Sequence, residues 1–98
     1  MDMYTIILKR SAIADLDALR KYDATRIADA RERHLQRNPT RESKSRIKRL
    51  RGVGNPDYRL RVGDYRVFYI VDEHARRVDV LRGMHKDQTL AYYEELKR

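Results

Sequence analysis

Arg59, Arg61 and Arg66 are the residues in this sequence whose type and spacing point most clearly to chemistry. They fall in the stretch from Asp57 to Asp72, where polar and apolar residues alternate on either side of Gly63-Asp64. A guanidinium is a planar fork of N–H donors that stays charged and matches the oxygens of a phosphate. Three of them gathered on one surface would make a site for an anion, with phosphate the obvious candidate. Like charges directly opposite each other across paired strands are destabilising, so a sheet gains no stability of its own from such a cluster.

The cluster exists only if the alternation is a hairpin. With Gly63-Asp64 as a two-residue loop, Val62 pairs with Tyr65, Arg61 with Arg66, Leu60 with Val67 and Arg59 with Phe68. A side-chain period of two then places Tyr58, Leu60, Val62, Tyr65, Val67 and Tyr69 on one surface and the three arginines on the other. Upstream, residues 3–9 read as a strand with Tyr4, Ile6 and Leu8 facing one way. Ser11 is an N-cap for a helix from Ala12 to about Lys21, buried through Ile13, Leu16 and Leu19. Asp23 caps a second helix, Ala24 to about Arg37, with Ile27, Ala28, Arg31 and Leu35 along one stripe, and Asn38-Pro39 stops it.

From Thr40 to Arg51 the chain is polar and basic. This segment is either a loop or short edge element, or a direct contact to a polyanion through residues such as Lys48, Arg49 and Arg51. Gly52, Gly54 and Pro56 mark a turn before the hairpin, and residues 73–76 a second turn into a strand from Arg77 to about Met84. Asp87 caps a short final helix whose Leu90, Tyr93 and Leu96 face inward, leaving Tyr92 at the edge of the stripe. The order β-α-α-β-β-β-α predicts an α+β fold. Its antiparallel sheet carries the two N-terminal helices on one face and leaves the arginines on the open side.

Ninety-eight residues suit one domain, 1–98, with a single core. The excess of 23 Lys+Arg over 15 Asp+Glu gives a net charge of +8, which suits nucleic acid, an anionic membrane or an acidic protein as partner. No apolar run approaches the roughly 20 residues of a membrane span. The first residues lack the basic start and long apolar centre of a secretion signal, so the expected location is cytoplasmic. Cysteine is absent, which removes disulfides and a thiol nucleophile. His34, His74 and His85 have no metal-ligand spacing, and no metal or other cofactor is expected.

The strand, two helices and basic link, followed by Leu50-Arg51-Gly52, Tyr58-Arg-Leu-Arg61 and Tyr65-Arg66-Val-Phe-Tyr69, resemble the RelE/ParE superfamily of toxin–antitoxin toxins. The resemblance runs from about Tyr4 to Tyr93, is most specific between Leu50 and Tyr69, and is closer to the RelE branch. It implies a toxin that enters the ribosomal A site and cleaves the mRNA there. The RelE pattern has two basic residues, two apart, on the first hairpin strand, here Arg59 and Arg61. It has an arginine after the aromatic that opens the next strand, here Arg66. A basic residue lies just past the last long strand, here Lys86, with a tyrosine six residues later, here Tyr92. The paired positions are lysines in RelE proteins that match the pattern best, and the later one is commonly arginine. The usual glycine before that motif is displaced, since Gly83 is followed by Met84 and His85.

The resemblance implies cleavage without a cofactor, because RNA carries its own nucleophile in the 2′-OH beside the scissile phosphate. Arg61 and Arg66 would stabilise charge on the phosphoryl oxygens, and Arg59 would position a neighbouring phosphate. Tyr92 would stack on a base or orient the 2′-OH. Lys86 is the first candidate for proton transfer, and His85, which titrates near neutrality, is held in reserve and counted with the RNA contacts. Strict alternation would point His85 and Lys86 opposite ways. The expected partners are an acidic helical antitoxin, the ribosome with its mRNA, and operator DNA only through the antitoxin complex, with no membrane. Two alternatives stand beside this reading: a non-enzymatic ParE-like toxin that binds DNA gyrase, and a catalytically degenerate homologue.

Overall fold

Gly63 sits at φ +58°, a conformation that an L side chain rarely adopts, and it reverses the chain between two strands in a two-residue turn. Around this turn a computed structural model of the protein describes residues 3–52 and 54–97. Strands β1 (Thr5–Leu8), β2 (Ile47–Arg49), β3 (Tyr58–Val62), β4 (Tyr65–Asp72) and β5 (Arg77–His85) form one sheet in the order β1-β5-β4-β3-β2. Helices α1 (Arg10–Asp17) and α2 (Lys21–Leu35) follow β1, and α3 (Thr89–Leu96) closes the chain. The class is α+β, as expected.

The expectation of a purely antiparallel sheet is corrected in one respect. The run from β2 to β5 is antiparallel throughout, but β1 pairs with β5 in parallel. The helix pair carries the chain from β1 to the far edge of the sheet, and three reversals then bring β5 back beside β1 pointing the same way. The basic link holds a fifth strand: β2 is a three-residue edge element, with Lys48 opposite Arg59 and Arg49 opposite Tyr58.

The main core lies between the sheet and the first two helices. Ile27 and Leu35 of α2 meet Leu60, Val67, Tyr69, Val78 and Val80, all essentially without exposure. The Tyr69 hydroxyl donates to the Pro39 carbonyl at 2.7 Å inside this core. Both early helices begin sooner than expected. Lys9, not Ser11, precedes α1, and Arg20, not Asp23, precedes α2; neither makes a side-chain cap. Asp23 is instead buried in the first turn of α2, where its carboxylate accepts from the Tyr65 hydroxyl at 3.1 Å and from Arg20 at 3.3 Å. Ile13 is 46% exposed, while Ala12 is fully buried. The inward positions of the helix are therefore Ala12, Asp15 and Leu16, at i, i+3 and i+4, and Leu19 packs inward just past its end.

Asp15 belongs to that stripe because β5 outruns β1. The parallel ladder ends at Val80, and α1 covers the rest of the β5 edge. There the Asp15 carboxylate accepts from Arg82 Nε at 2.6 Å, Arg82 Nη2 at 3.2 Å and the Gly83 backbone N–H at 3.0 Å. The Asp15 side chain is only 18% exposed, so these bonds are poorly replaced by water. Asp15→Ala is expected to lower stability by about 1.5–3 kcal/mol, as for other hydrogen bonds to charged groups. A urea denaturation midpoint unchanged in that variant would show that α1 holds the β5 edge by apolar packing alone.

Candidate functional site

The hairpin register follows the turn residue by residue. Val62 opposes Tyr65, Arg61 opposes Arg66, Leu60 opposes Val67, Arg59 opposes Phe68 and Tyr58 opposes Tyr69. Arg59, Arg61 and Arg66 therefore share the face turned away from α1 and α2. Their fields meet: burial first, and then the charges of Arg59 and Arg61, hold the Arg66 guanidinium below its ordinary proton affinity, and Tyr93 partly offsets this. Arg66 is anchored at the turn, where its Nη1 donates to the Gly63 and Tyr65 carbonyls at 2.9 Å each. Arg61 is exposed and forms no ion pair among the described residues. Arg59 is half-buried, and its buried Nε has no hydrogen-bond partner among the described residues. A buried donor left in that state is costly and is relieved by an acceptor.

The arginine face is not wholly open, because α3 lies over part of it. Phe68, Met84 and Tyr92 form a second small core there, with Leu50, Tyr93 and Leu96 around it. Tyr92 does not sit at the edge of the helix stripe. It is only 8% exposed, packs on Phe68 at 4.8 Å between ring centroids, and lies beneath the Arg82 guanidinium at 5.4 Å. Burial pushes its phenol proton affinity up. Leu90, expected to face inward, is 70% exposed. The cause is a 3-10 turn, Lys86–Gln88, capped by His85 rather than Asp87, which advances the phase of the helix that follows. The inward positions become Tyr92, Tyr93 and Leu96. Tyr93, half-buried and edge-on to Phe68, is the tyrosine that faces the arginines.

The remaining candidates divide by face. Lys48 stands opposite Arg59 and, with Arg51, Arg59 and Tyr93, lines an open groove of about 420 Å³. Arg49 borders the same groove, but its guanidinium lies over the Tyr58 ring and donates to the Tyr58 hydroxyl at 3.0 Å, towards the helix side. His85 opposes Tyr65, meets its ring edge-on at 5.5 Å, and accepts the Asp87 N–H at Nδ1. It is thereby turned from the arginines. Lys86 sits at the rim of the hairpin: its N–H donates to the Asp64 carbonyl at 2.7 Å, and its Nζ lies 3.6 Å from the Asp64 carboxylate. Among the described residues no cluster of three or more His, Cys, Asp and Glu could hold a metal ion.

The sequence model of the ParE toxin of type II toxin–antitoxin systems (parDE) matches residues 6–90. The chain belongs to this family. It lies within the RelE/ParE superfamily, and solved structures agree. A chain in the RelBE2 toxin–antitoxin complex from Mycobacterium tuberculosis is 28% identical, with a TM-score of 0.72 over 87% of this chain and 93% of that one. A chain in the RelE–RelB complex from Pyrococcus horikoshii is also 28% identical, with a TM-score of 0.70 over 86% and 96%. A third, in the RelB–RelE complex from Methanococcus jannaschii, is 23% identical with a TM-score of 0.65 over 89% and 98%, a likeness of fold. No curated protein matches the chain.

One residue of this toxin's arginine face escapes a reading of its sequence. Arg82 opposes Phe68 and lies over Tyr92, but its charge is bound to Asp15, which raises its proton affinity and removes it from the free cations. The available signal was Asp15 itself, an acid on a buried stripe that requires a cation. Tyr93 faces inward as expected, packed on the small core, and it also borders the groove with Arg59.

If the arginine cluster serves a ligand, it works against the fold. Arg61→Thr removes a charge facing Arg66 and installs a residue that suits strands, so stability should rise by up to about 0.5 kcal/mol. Thermal unfolding at low and high salt checks this, and the gain should shrink as salt screens the repulsion. A loss of stability in Arg61→Thr would mean that the pair supports the sheet.

Proposed function

We propose that this toxin is a metal-independent endoribonuclease that cuts mRNA in the ribosomal A site and so inhibits translation. The observation that carries the reading is the shared face of Arg59, Arg61 and Arg66, with Arg61 directly opposite Arg66 and no carboxylate among the described residues bound to either. Such a face suits a dianionic phosphorane-like transition state. The 2′-OH attacks the adjacent phosphorus, the bond to the 5′-oxygen breaks, and the products are a 2′,3′-cyclic phosphate and a 5′-hydroxyl. Arg61 and Arg66 take the non-bridging oxygens, where preorganised donors stabilise developing charge. Arg59, whose Nε lacks an acceptor, positions the neighbouring phosphate in the groove with Lys48 and Arg51.

Tyr93 takes the base-stacking role, and Tyr92 supports it from the small core beneath. Lys86 at the rim is the proton donor to the leaving oxygen, once substrate draws its ammonium from Asp64. His85 and Arg49 contribute to the fold rather than to the RNA contact. Among the described residues no base stands on this face, so the 2′-OH proton passes to solvent water as the oxygen attacks, and cleavage depends on the ribosome to bend mRNA into the in-line geometry, a gain chiefly of orientation. An acidic, helical antitoxin held against this face would silence it, and operator DNA would be met only through that complex.

The match to the ParE family favours a second reading, in which the chain binds DNA gyrase and catalyses nothing. Primer extension on mRNA from cells expressing the toxin separates the two. The nuclease reading predicts cuts in phase with codons. Arg61→Ala or Arg66→Ala should slow them by about 100- to 1,000-fold, the usual cost of one oxyanion donor. Tyr93→Ala should cost more activity than Tyr92→Phe, which keeps the buried ring. Intact mRNA together with an SOS response would reject the nuclease and support gyrase.

A further inference from the structure

A second concentration of positive charge lies on the other side of the sheet, where the end of α2 meets the link into β2. A cavity of about 270 Å³ there is lined by Arg33 and His34 from α2, and by Arg41, Ser43 and Arg46 from the link. Arg33 and His34 occupy the last turn of the helix, where cations offset the negative end of its dipole, a role that needs no ligand. Arg41 and Arg46 have no such reason to be there. The link is folded to deliver them: the Arg41 N–H donates to the Asn38 carbonyl at 3.3 Å, and Ser43 Oγ accepts the Arg46 N–H at 3.1 Å. Ser43 N–H donates in turn to the Ile47 carbonyl at 3.0 Å, which closes the loop against β2.

Among the described residues no acid lines this cavity. Of the two acids adjacent in sequence to its arginines, Glu42 accepts the Arg49 N–H at 3.0 Å, and Glu32 lines a different cavity with Tyr4 and Arg31. None of the guanidiniums of Arg33, Arg41 and Arg46 has an ion-pair partner among the described residues, whereas Arg20, Arg77 and Arg82 are each paired with an aspartate. The charges act on one another within the cavity. Burial first, then Arg46 and Arg33, depress the proton affinity of His34. Three guanidiniums around one concavity exceed what a single carboxylate can satisfy with two oxygens. They suit a tetrahedral phosphate, which offers more acceptors and can take several forks at once.

We propose that this cavity is a second phosphate-binding site, which takes the sugar-phosphate backbone of an RNA strand on the helix side of the sheet. It requires nothing of the cleavage chemistry and would hold if the arginine face were inert. Its position gives it a use: Arg46 immediately precedes β2, and Lys48, two residues on, belongs to the opposite groove. The β2 edge thus joins two basic surfaces, and a backbone gripped on both sides would be held across that edge.

The test uses the full chain with inorganic phosphate, a short 2′-O-methyl oligouridylate and an oligoglutamate of equal length. Phosphate should raise the pKa of His34, followed by its imidazole proton resonances, and shift the Ser43 and Arg46 amide signals. Arg41→Ala/Arg46→Ala should abolish those responses and reduce the salt dependence of oligouridylate binding by about 1.4 in log–log slope, from two lost phosphate contacts at about 0.7 each. The Ser43 bonds use backbone N–H groups, so that variant should keep its fold. Arg61→Ala/Arg66→Ala should leave the His34 response intact, separating this site from the cleavage face. An unmoved His34, an unchanged slope, or an oligoglutamate that binds as tightly as the RNA and loses as much in the Arg41/Arg46 variant would each overturn the proposal.

Discussion

The parity of one hairpin governs both the interior of this toxin and its chemistry. A left-handed Gly63 allows a two-residue turn, the turn fixes Val62 against Tyr65, and every later pair inherits that alignment. The same count of residues that sends Leu60, Val67 and Tyr69 into the core sends Arg59, Arg61 and Arg66 out of it. A slip of one residue would bury three guanidiniums and expose the apolar row, at a cost far beyond the stability of a domain this size. The core therefore protects the site: nothing can move the arginines off their face without dismantling the sheet.

The site is also supported from beneath. Phe68 lies in the same row as Arg59 and is covered by Tyr92, which is in turn covered by Arg82 and so reaches Asp15 on α1. This chain of contacts ties α3, and with it Tyr93, to the far edge of the sheet. Repulsion among the arginines is offset by the packing of the two cores on either side of the sheet, and Arg82 and Arg77 are paired with neighbouring aspartates. Among the guanidiniums without an ion pair in the described residues, two groups gather, one on the arginine face and one at the cavity at the end of α2, with the β2 edge between them.

What the sequence disclosed, it disclosed through local pattern. Alternation of period two around Gly63-Asp64 was enough to assign each hairpin pair, because the turn and the hydrophobic set agree. The helix stripes through Ile27 and Leu35 were equally plain. Errors arose where a distant contact decides. Asp15 faces inward only because Arg82 and Gly83 await it on β5, and that shifts the whole stripe of α1 from Ile13 to Ala12. The phase of α3 depends on a histidine cap and a 3-10 turn, which exchange the roles of Tyr92 and Leu90. The parallel pairing of β1 with β5 joins residues more than half the chain apart, and no local signal encodes it. The faces that His85 and Arg49 occupy are set by pairing with Tyr65 and Tyr58, which their residue types alone do not encode.

The account rests on three guanidiniums taking a phosphodiester together. The most direct measurement follows the arginine side-chain Nε–H resonances of the toxin while a non-cleavable 2′-O-methyl RNA carrying an A-site codon is added. Signals of Arg59, Arg61 and Arg66 should shift in concert at one affinity, while those of Arg82 and Arg49, held by Asp15 and Tyr58, stay in place. Shifts confined to arginines outside that face, with Arg61 and Arg66 silent at saturation, would contradict it.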